Sequence, residues 1–512
     1  MDKETAARIS DNYSDGKIDD TEYKEITSFN KAPQIKSILT YLRAPDALLN
    51  KKPEALIKAL KNADSNIRTK AAQLLGDKRS AFAQSALIEA LKDGNPTVRK
   101  MAIYALSKFS SSEKAMAAIA GMETDKDESV KAYAFYVYSR INPRAAIKRF
   151  LKTDRTNVVP RPEYGLKDFF LITPKNSSPI LIEEQAYLAR ALLSENSETS
   201  CSIFVSSKDQ LEALKEAYFN ASPELKQLEE QGRLRFSVGK YTETYWAQDL
   251  GQSVHLQDGG SEFVMSNHAD SKVILNPSWL LAPYDPSDPD LRRPVTHVSL
   301  LFQGGDITTT TIGGKNIVVA GPQLRSLTKK HYGSNISDAD ITAVLKHAFG
   351  ADDVVLLRNP GQQSEPRLAP HIDQAIFFPR NGTAVMLDPD SIDTNCITAN
   401  DEADLNLKMK KAALVEIKKA LGEYRKTLES AGFKIITIPT NAEHVSKMQS
   451  YANAIPITMN DKSLGIIMPT FEDNNLEQRI KEELKRNGMN VVFVPNSTYV
   501  LNGNIHCQVN GF

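Results

Sequence analysis

The stretch LIKALKNADSNIRTKAAQLLG, residues 56–76, returns at an offset of 31 as LIEALKDGNPTVRKMAIYALS, residues 87–107. In each copy an apolar helix ends in an Asp, Asn or Gly turn. A second, Ala-rich helix then opens on a β-branched residue followed by Arg: Ile67-Arg68 in one, Val98-Arg99 in the other. A weaker third copy contains AAIAGMETDKDESVKAYAFYVYS, with Val130-Lys131 at the same place. Apolar residues recur at three- and four-residue spacing, so each helix pair needs neighbours to bury its face. A generic helical bundle is the alternative, but offset, turn chemistry and helix pattern agree on a stacked array.

The pattern resembles HEAT repeats of the short type, and the repeat domain is predicted over 31–150. Such solenoids present an extended binding surface, so a protein partner is expected there. Before it, over 1–30, DNYSDGKIDDTEYKEI follows the spacing of an EF-hand loop. Asp11, Asp15, Asp19 and Glu22 fall at positions one, five, nine and twelve, with Gly16 at six. Tyr13 stands where position three should offer an oxygen, so the loop is degenerate. It reads either as a calcium site or as a polar helix-turn-helix with Asp and Gly as turn residues.

Composition narrows the class of protein. The 512 residues are 41% hydrophobic and 25% charged, which suits two or three folded domains. The 63 basic and 63 acidic residues cancel, so no global attraction to nucleic acid or a membrane surface is expected. Cys201, Cys396 and Cys507 lie far apart, with no CxxC pair, which points to a reducing compartment. The first residues lack an apolar run, and no stretch approaches a membrane span. A cytoplasmic protein is the expectation; one exported by a non-standard signal would look the same.

After residue 150 the character changes. A Pro- and polar-containing connector is predicted over 151–175, and from 176 to 512 short apolar runs alternate with helical stretches. This is the pattern of one large mixed α/β domain. No GxGxxG or Walker pattern sits at a strand–helix junction, so nucleotide binding is not indicated.

Four stretches could carry chemistry. YWAQDLG holds Trp246, Gln248 and Asp249; LLFQGGDI holds Gly304, Gly305 and Asp306; LAPHIDQAIFF holds His371 and Asp373; NGNIHCQVN holds Asn504 and Cys507. If 371–373 is extended, His371 and Asp373 project to one side while Ile372 points into the core. By the same rule His506 and Cys507 point to opposite faces, which removes His506 as the base for the thiol and favours His371. Taken singly, each stretch has an ordinary explanation: a cap, a turn, a polar strand edge, a small core thiol. The residues lack metal-ligand spacing for zinc.

In this order the four stretches resemble the guanidino-group-modifying enzymes of the pentein superfamily. These share an acidic residue after an early strand, a Gly-Gly turn, a central His-x-Asp and a nucleophilic Cys near the end. The resemblance covers roughly 176–512 and implies an α/β propeller. Trp246–Asp249, His371–Asp373 and the H-C-x-x-N of 506–510 look closest to the protein-arginine deiminases. GNIHC also looks like agmatine deiminase. The resemblance implies Cys507 as nucleophile, His371 as general acid/base, and Asp249 and Asp373 as the carboxylates that hold the guanidinium. Trp246, Gln248, Gly304, Gly305, Asp306 and Asn504 are expected to line the substrate site. No organic cofactor or catalytic metal is implied.

Departures from the family pattern are informative. Gln303 stands where many relatives carry Glu before the Gly-Gly turn, so the turn can be structural. The leading reading is a deiminase of peptidyl-arginine. The alternatives are agmatine or free-arginine deimination, more remotely an amidinotransferase, and from another class a non-catalytic pentein that binds through a HEAT scaffold.

Overall fold

The computed structural model describes Leu48 and residues 51–238, 251–266, 295–360, 371–395 and 405–511, apart from 163, 165, 175–176, 206–207, 334–335 and 502–503. Asp11, Asp15, Asp19 and Glu22 lie outside the described residues, as do Trp246, Gln248 and Asp249. The chain divides into two compact units, Met1–Asn142 and Pro143–Phe512.

Among the described residues of the first unit, six α-helices alternate with short connections. They pair as Pro53–Ala59 with Ser65–Asp77, Gln84–Ala90 with Pro96–Ser107, and Glu113–Gly121 with Glu128–Ile141. The turn residues named by the repeat are the caps: Asp64, Asn95 and Asp127 each accept a backbone N–H at the start of a second helix. Leu56, Leu75, Leu87, Ile103, Leu106, Ile119 and Val130 are fully buried between the helices. The repeated arginines staple neighbours together. Arg68 makes a bidentate pair with Asp93 at 2.7 and 2.9 Å, and Arg99 a second with Asp125 at 2.8 and 2.7 Å. Each guanidinium also donates to carbonyls of its own turn.

The second unit begins earlier than composition suggests. Pro143–Phe150 is a helix of this unit, and the region predicted as a connector contains strands Val158–Pro160 and Asp168–Thr173, both paired into sheets. Prolines and polar residues there mark strand ends, not a linker. Buried Arg155 shows how firmly the region is held: it donates to Glu262 at 2.7 Å, to Thr296, and to the carbonyls of His347 and Ala348.

Among the described residues of this unit there are five sheets of three or four strands. Each contains the same theme: a central strand with one antiparallel and one parallel neighbour. The central strands are Asp168–Thr173, Ser261–Ser266, Lys315–Ala320, Thr383–Leu387 and Leu464–Thr470. The parallel crossovers run through long helices such as Pro179–Ser194, Leu405–Ser430 and Asn474–Arg486. One sheet joins distant parts of the chain, because strand Val509–Gly511 pairs antiparallel with Phe169–Leu171. Three apolar clusters lie between sheets and helices, one around Phe378 and Met386, one around Phe302 and Phe349, one around Ile203 and Leu192.

Candidate active site

His371 and Asp373 are not on a strand. Ile372–Gln374 is a single 3-10 turn that enters strand Ile376–Arg380, with His371 as its N-terminal flank. Ile372 points into the core, 2% exposed. The two functional side chains still converge, because both press on Gly305. A Cβ at Gly305 would lie 2.9 Å from His371 Nδ1 and 2.9 Å from Asp373 Oδ2. The turn therefore gathers the pair by a route other than the strand alternation expected from sequence.

The Gly-Gly-Asp segment is itself a 3-10 turn, Gly304–Asp306. Asp306 is fully buried, and its Oδ2 accepts the Leu324 N–H at 2.6 Å, in the first turn of helix Pro322–Tyr332. A carboxylate there complements the helix dipole. Gly321 must be glycine for this contact, since a Cβ would fall 1.7 Å from Asp306 Oδ1. Asp306 thus anchors a helix, whereas Gly305 shapes the site by lacking a side chain. Gly304 accepts Gln252 Nε2 at its carbonyl. Gln303, the departure from the family pattern, places Oε1 against His371 Nε2.

Cys507 lies in a four-residue helical turn, Ile505–Gln508, and is 4% exposed. That turn overturns the reading that put His506 on the far face. Asp373 Oδ2 lies 3.0 Å from His506 Nδ1 and 3.4 Å from Cys507 Sγ, so adjacent residues reach the same carboxylate oxygen. Asp373 Oδ1 is buried without a hydrogen-bond partner among the described residues. A buried carboxylate oxygen in that condition is costly unless a ligand completes it.

Two residues that sequence reasoning missed also surround the sulfur. Asn453 Nδ2 donates to Sγ at 3.3 Å and to the Asp373 carbonyl at 3.2 Å, while its Oδ1 accepts the backbone N–H of His506 and Cys507. Gln374 Nε2 donates to Sγ at 3.2 Å. Asn504, expected to line the substrate site, is fully buried and bonded internally to Gln374, Met448 and Asn496. It braces the site from behind. Of the remaining cysteines, Cys201 is wholly buried on strand Ser200–Val205, and burial pushes its thiol well above the ordinary range. Cys396 lies outside the described residues. Also among the described residues, no grouping of His, Cys, Asp and Glu could hold a metal ion, and no helix is long and apolar enough to cross a membrane.

Comparison with known proteins finds one family match in each unit. Residues 53–139 match the family of HEAT repeats. Residues 288–510, which hold His371, Asp373, Asn453 and Cys507, match Porphyromonas-type peptidyl-arginine deiminase. No curated protein matches the chain. Along the chain, a match to HEAT repeats is thus followed by a match to the peptidyl-arginine deiminase family.

Proposed function

We propose that the chain is a cysteine-dependent deiminase that hydrolyses the guanidino group of an arginine-containing substrate to a ureido group, with release of ammonia. The observation that carries this reading is Asp373: one carboxylate oxygen beside Cys507 Sγ, the other buried and unpartnered among the described residues. A guanidinium is planar and cationic, with paired N–H donors that suit a carboxylate. Bound there, its central carbon would face the sulfur, and its charge would offset the Asp373 charge that disfavours a thiolate. Asp249, flanked by Trp246 and Gln248, is proposed as the second carboxylate of the clamp.

The Cys507 thiolate would add to the guanidino carbon to form a tetrahedral adduct. His371 would then protonate the departing nitrogen, which leaves as ammonia, and a thiouronium would remain on Cys507. His371, now neutral, would take a proton from water as the hydroxide adds to the same carbon. Collapse of that adduct would return the sulfur and release the ureido product. The balance is one water consumed and one ammonia released, with no organic cofactor.

The five sheets are proposed to be the blades of an α/β propeller around the site. Their repeated strand pattern supports this, as does the pairing of Val509–Gly511 with Phe169–Leu171, which links the two extremes of the unit. The HEAT repeats would recruit the protein that carries the arginine, a common use of such arrays.

The test is release of ureido product and ammonia from an arginine peptide, free arginine and agmatine, by the wild type and Cys507→Ala. Turnover of the peptide by the wild type, and loss of at least about 10³-fold in the variant, is expected. Turnover of agmatine alone would sink the protein-substrate reading, and no turnover of any guanidino compound would sink the enzyme.

A further inference from the structure

Cys507 Sγ faces a carboxylate at 3.4 Å, an arrangement that by itself holds the sulfur as a thiol, because two adjacent negative charges repel. The charged or titratable groups about it among the described residues are Asp373, His506 on the same carboxylate oxygen, and His371 across Gly305. Against the carboxylate stand two neutral amide donors, from Asn453 and Gln374. Hydrogen bonds to a charged acceptor are the stronger kind, so donors fixed on sulfur favour the ionised form.

The direction in which the Gln374 amide points is decided by backbone. The Met448 carbonyl can only accept, and Asn504 donates to it at 2.9 Å, so the NH2 of Asn504 faces that way. The same NH2 donates to Gln374 Oε1 at 2.8 Å, and this turns Gln374 Nε2 towards the sulfur. Asn504 is held from its other side by Asn496 Nδ2 at 2.9 Å. The backbone of Gln374 is fixed too, since Ser450 Oγ donates to its carbonyl at 2.5 Å. Every polar group in this chain of contacts is buried. An amide so constrained cannot flip to offer its oxygen without breaking the bond to Asn504.

We infer that Gln374 is a catalytic residue of this site, whose side-chain amide, aimed by Asn504 and the Met448 carbonyl, stabilises the thiolate of Cys507. The inference rests on the proposal that Cys507 is the nucleophile, and its test needs no substrate. Cys507 in the full-length protein is alkylated with iodoacetamide across a pH series, and labelling at Cys507 is followed by peptide mass spectrometry. The thiolate displaces iodide, so the rate reports the ionised fraction.

Gln374→Glu keeps an acceptor for Asn504 but removes the donor on sulfur and adds charge. It is expected to move the rate profile upward by about one pH unit or more, lowering labelling at neutral pH about tenfold. Gln374→Met removes the donor without adding charge and should shift the profile in the same direction by less. Should either variant lose its folded near-ultraviolet spectrum, Asn504→Ser, which frees the amide without touching sulfur, is measured in its place. Profiles that coincide with wild type in folded variants overturn the assignment, whatever the outcome with arginine peptides. A shifted profile in a protein that turns over no guanidino compound would keep the amide's role and reject the deiminase.

Discussion

Gly305 is the residue on which the geometry of the site turns. Its missing side chain leaves the space into which His371 Nδ1 and Asp373 Oδ2 project, each 2.9 Å from where a Cβ would stand. Gly305→Ala is therefore expected to push the base or the carboxylate aside while the surrounding core survives. Displacements of about an ångström cost reactions of this type about 10²-fold. The expected result is a loss of that order in kcat for an arginine peptide with an unchanged unfolding midpoint; a variant within threefold of wild type would refute the packing argument. Cys507, His371 and Asp373 were legible as candidates because a His-x-Asp and a late Cys form a pattern in the chain. Asn453 and Gln374 were not, because SYANAIP carries no motif and Gln374 reads as the start of an apolar strand. Their roles arise from tertiary contacts 54 and 133 residues away in sequence. His506 was set aside by applying strand alternation to a segment that forms a helical turn.

At the scale of single elements, helix Pro179–Ser194 is tied to the segment that leads into the Cys507 turn. Its Glu184 is 8% exposed and accepts both the backbone N–H and the hydroxyl of Ser497, at 2.9 and 3.0 Å. Burial raises the Glu184 pKa above the ordinary 4.5, and the Ser497 bonds only partly oppose this. A carboxyl raised on folding contributes stability while it is protonated, below its ordinary value, and that contribution is lost as pH rises through the folded value. Glu184→Gln removes the desolvated charge. At neutral pH it is expected to unfold at a higher temperature than wild type, by roughly 1–3 °C. The advantage should vanish as the pH is taken below 4.5, the ordinary value. Thermal melts of both proteins over that range decide it, and a pH-independent difference would count against a buried charge. The helices of the repeats were legible because caps, prolines and periodicity agree in each copy. The strands at 158–160 and 168–173 were hidden because their flanks are rich in polar residues and proline, which composition alone reads as linker.

For the whole molecule, alternation of strands and helices identified a mixed α/β unit but not which strands pair. The register between Val509–Gly511 and Phe169–Leu171 cannot be read from either segment, since three residues on each side suit many partners. That pairing also bears on how the site comes into being. Cys507 stands two residues before a strand whose partner lies at the opposite extreme of the unit, so its environment requires closure of almost the longest loop the unit allows. Such contacts form late, after local helices and hairpins have offset their own entropy. During refolding from denaturant, helical circular dichroism should therefore recover before labelling at Cys507 slows to its native rate. Simultaneous recovery of the two signals would contradict this order. On that order Cys507, the proposed nucleophile, would stay an ordinary, unselective thiol until the last sheet zips, and topology would act as a timer that withholds the site until the scaffold is complete.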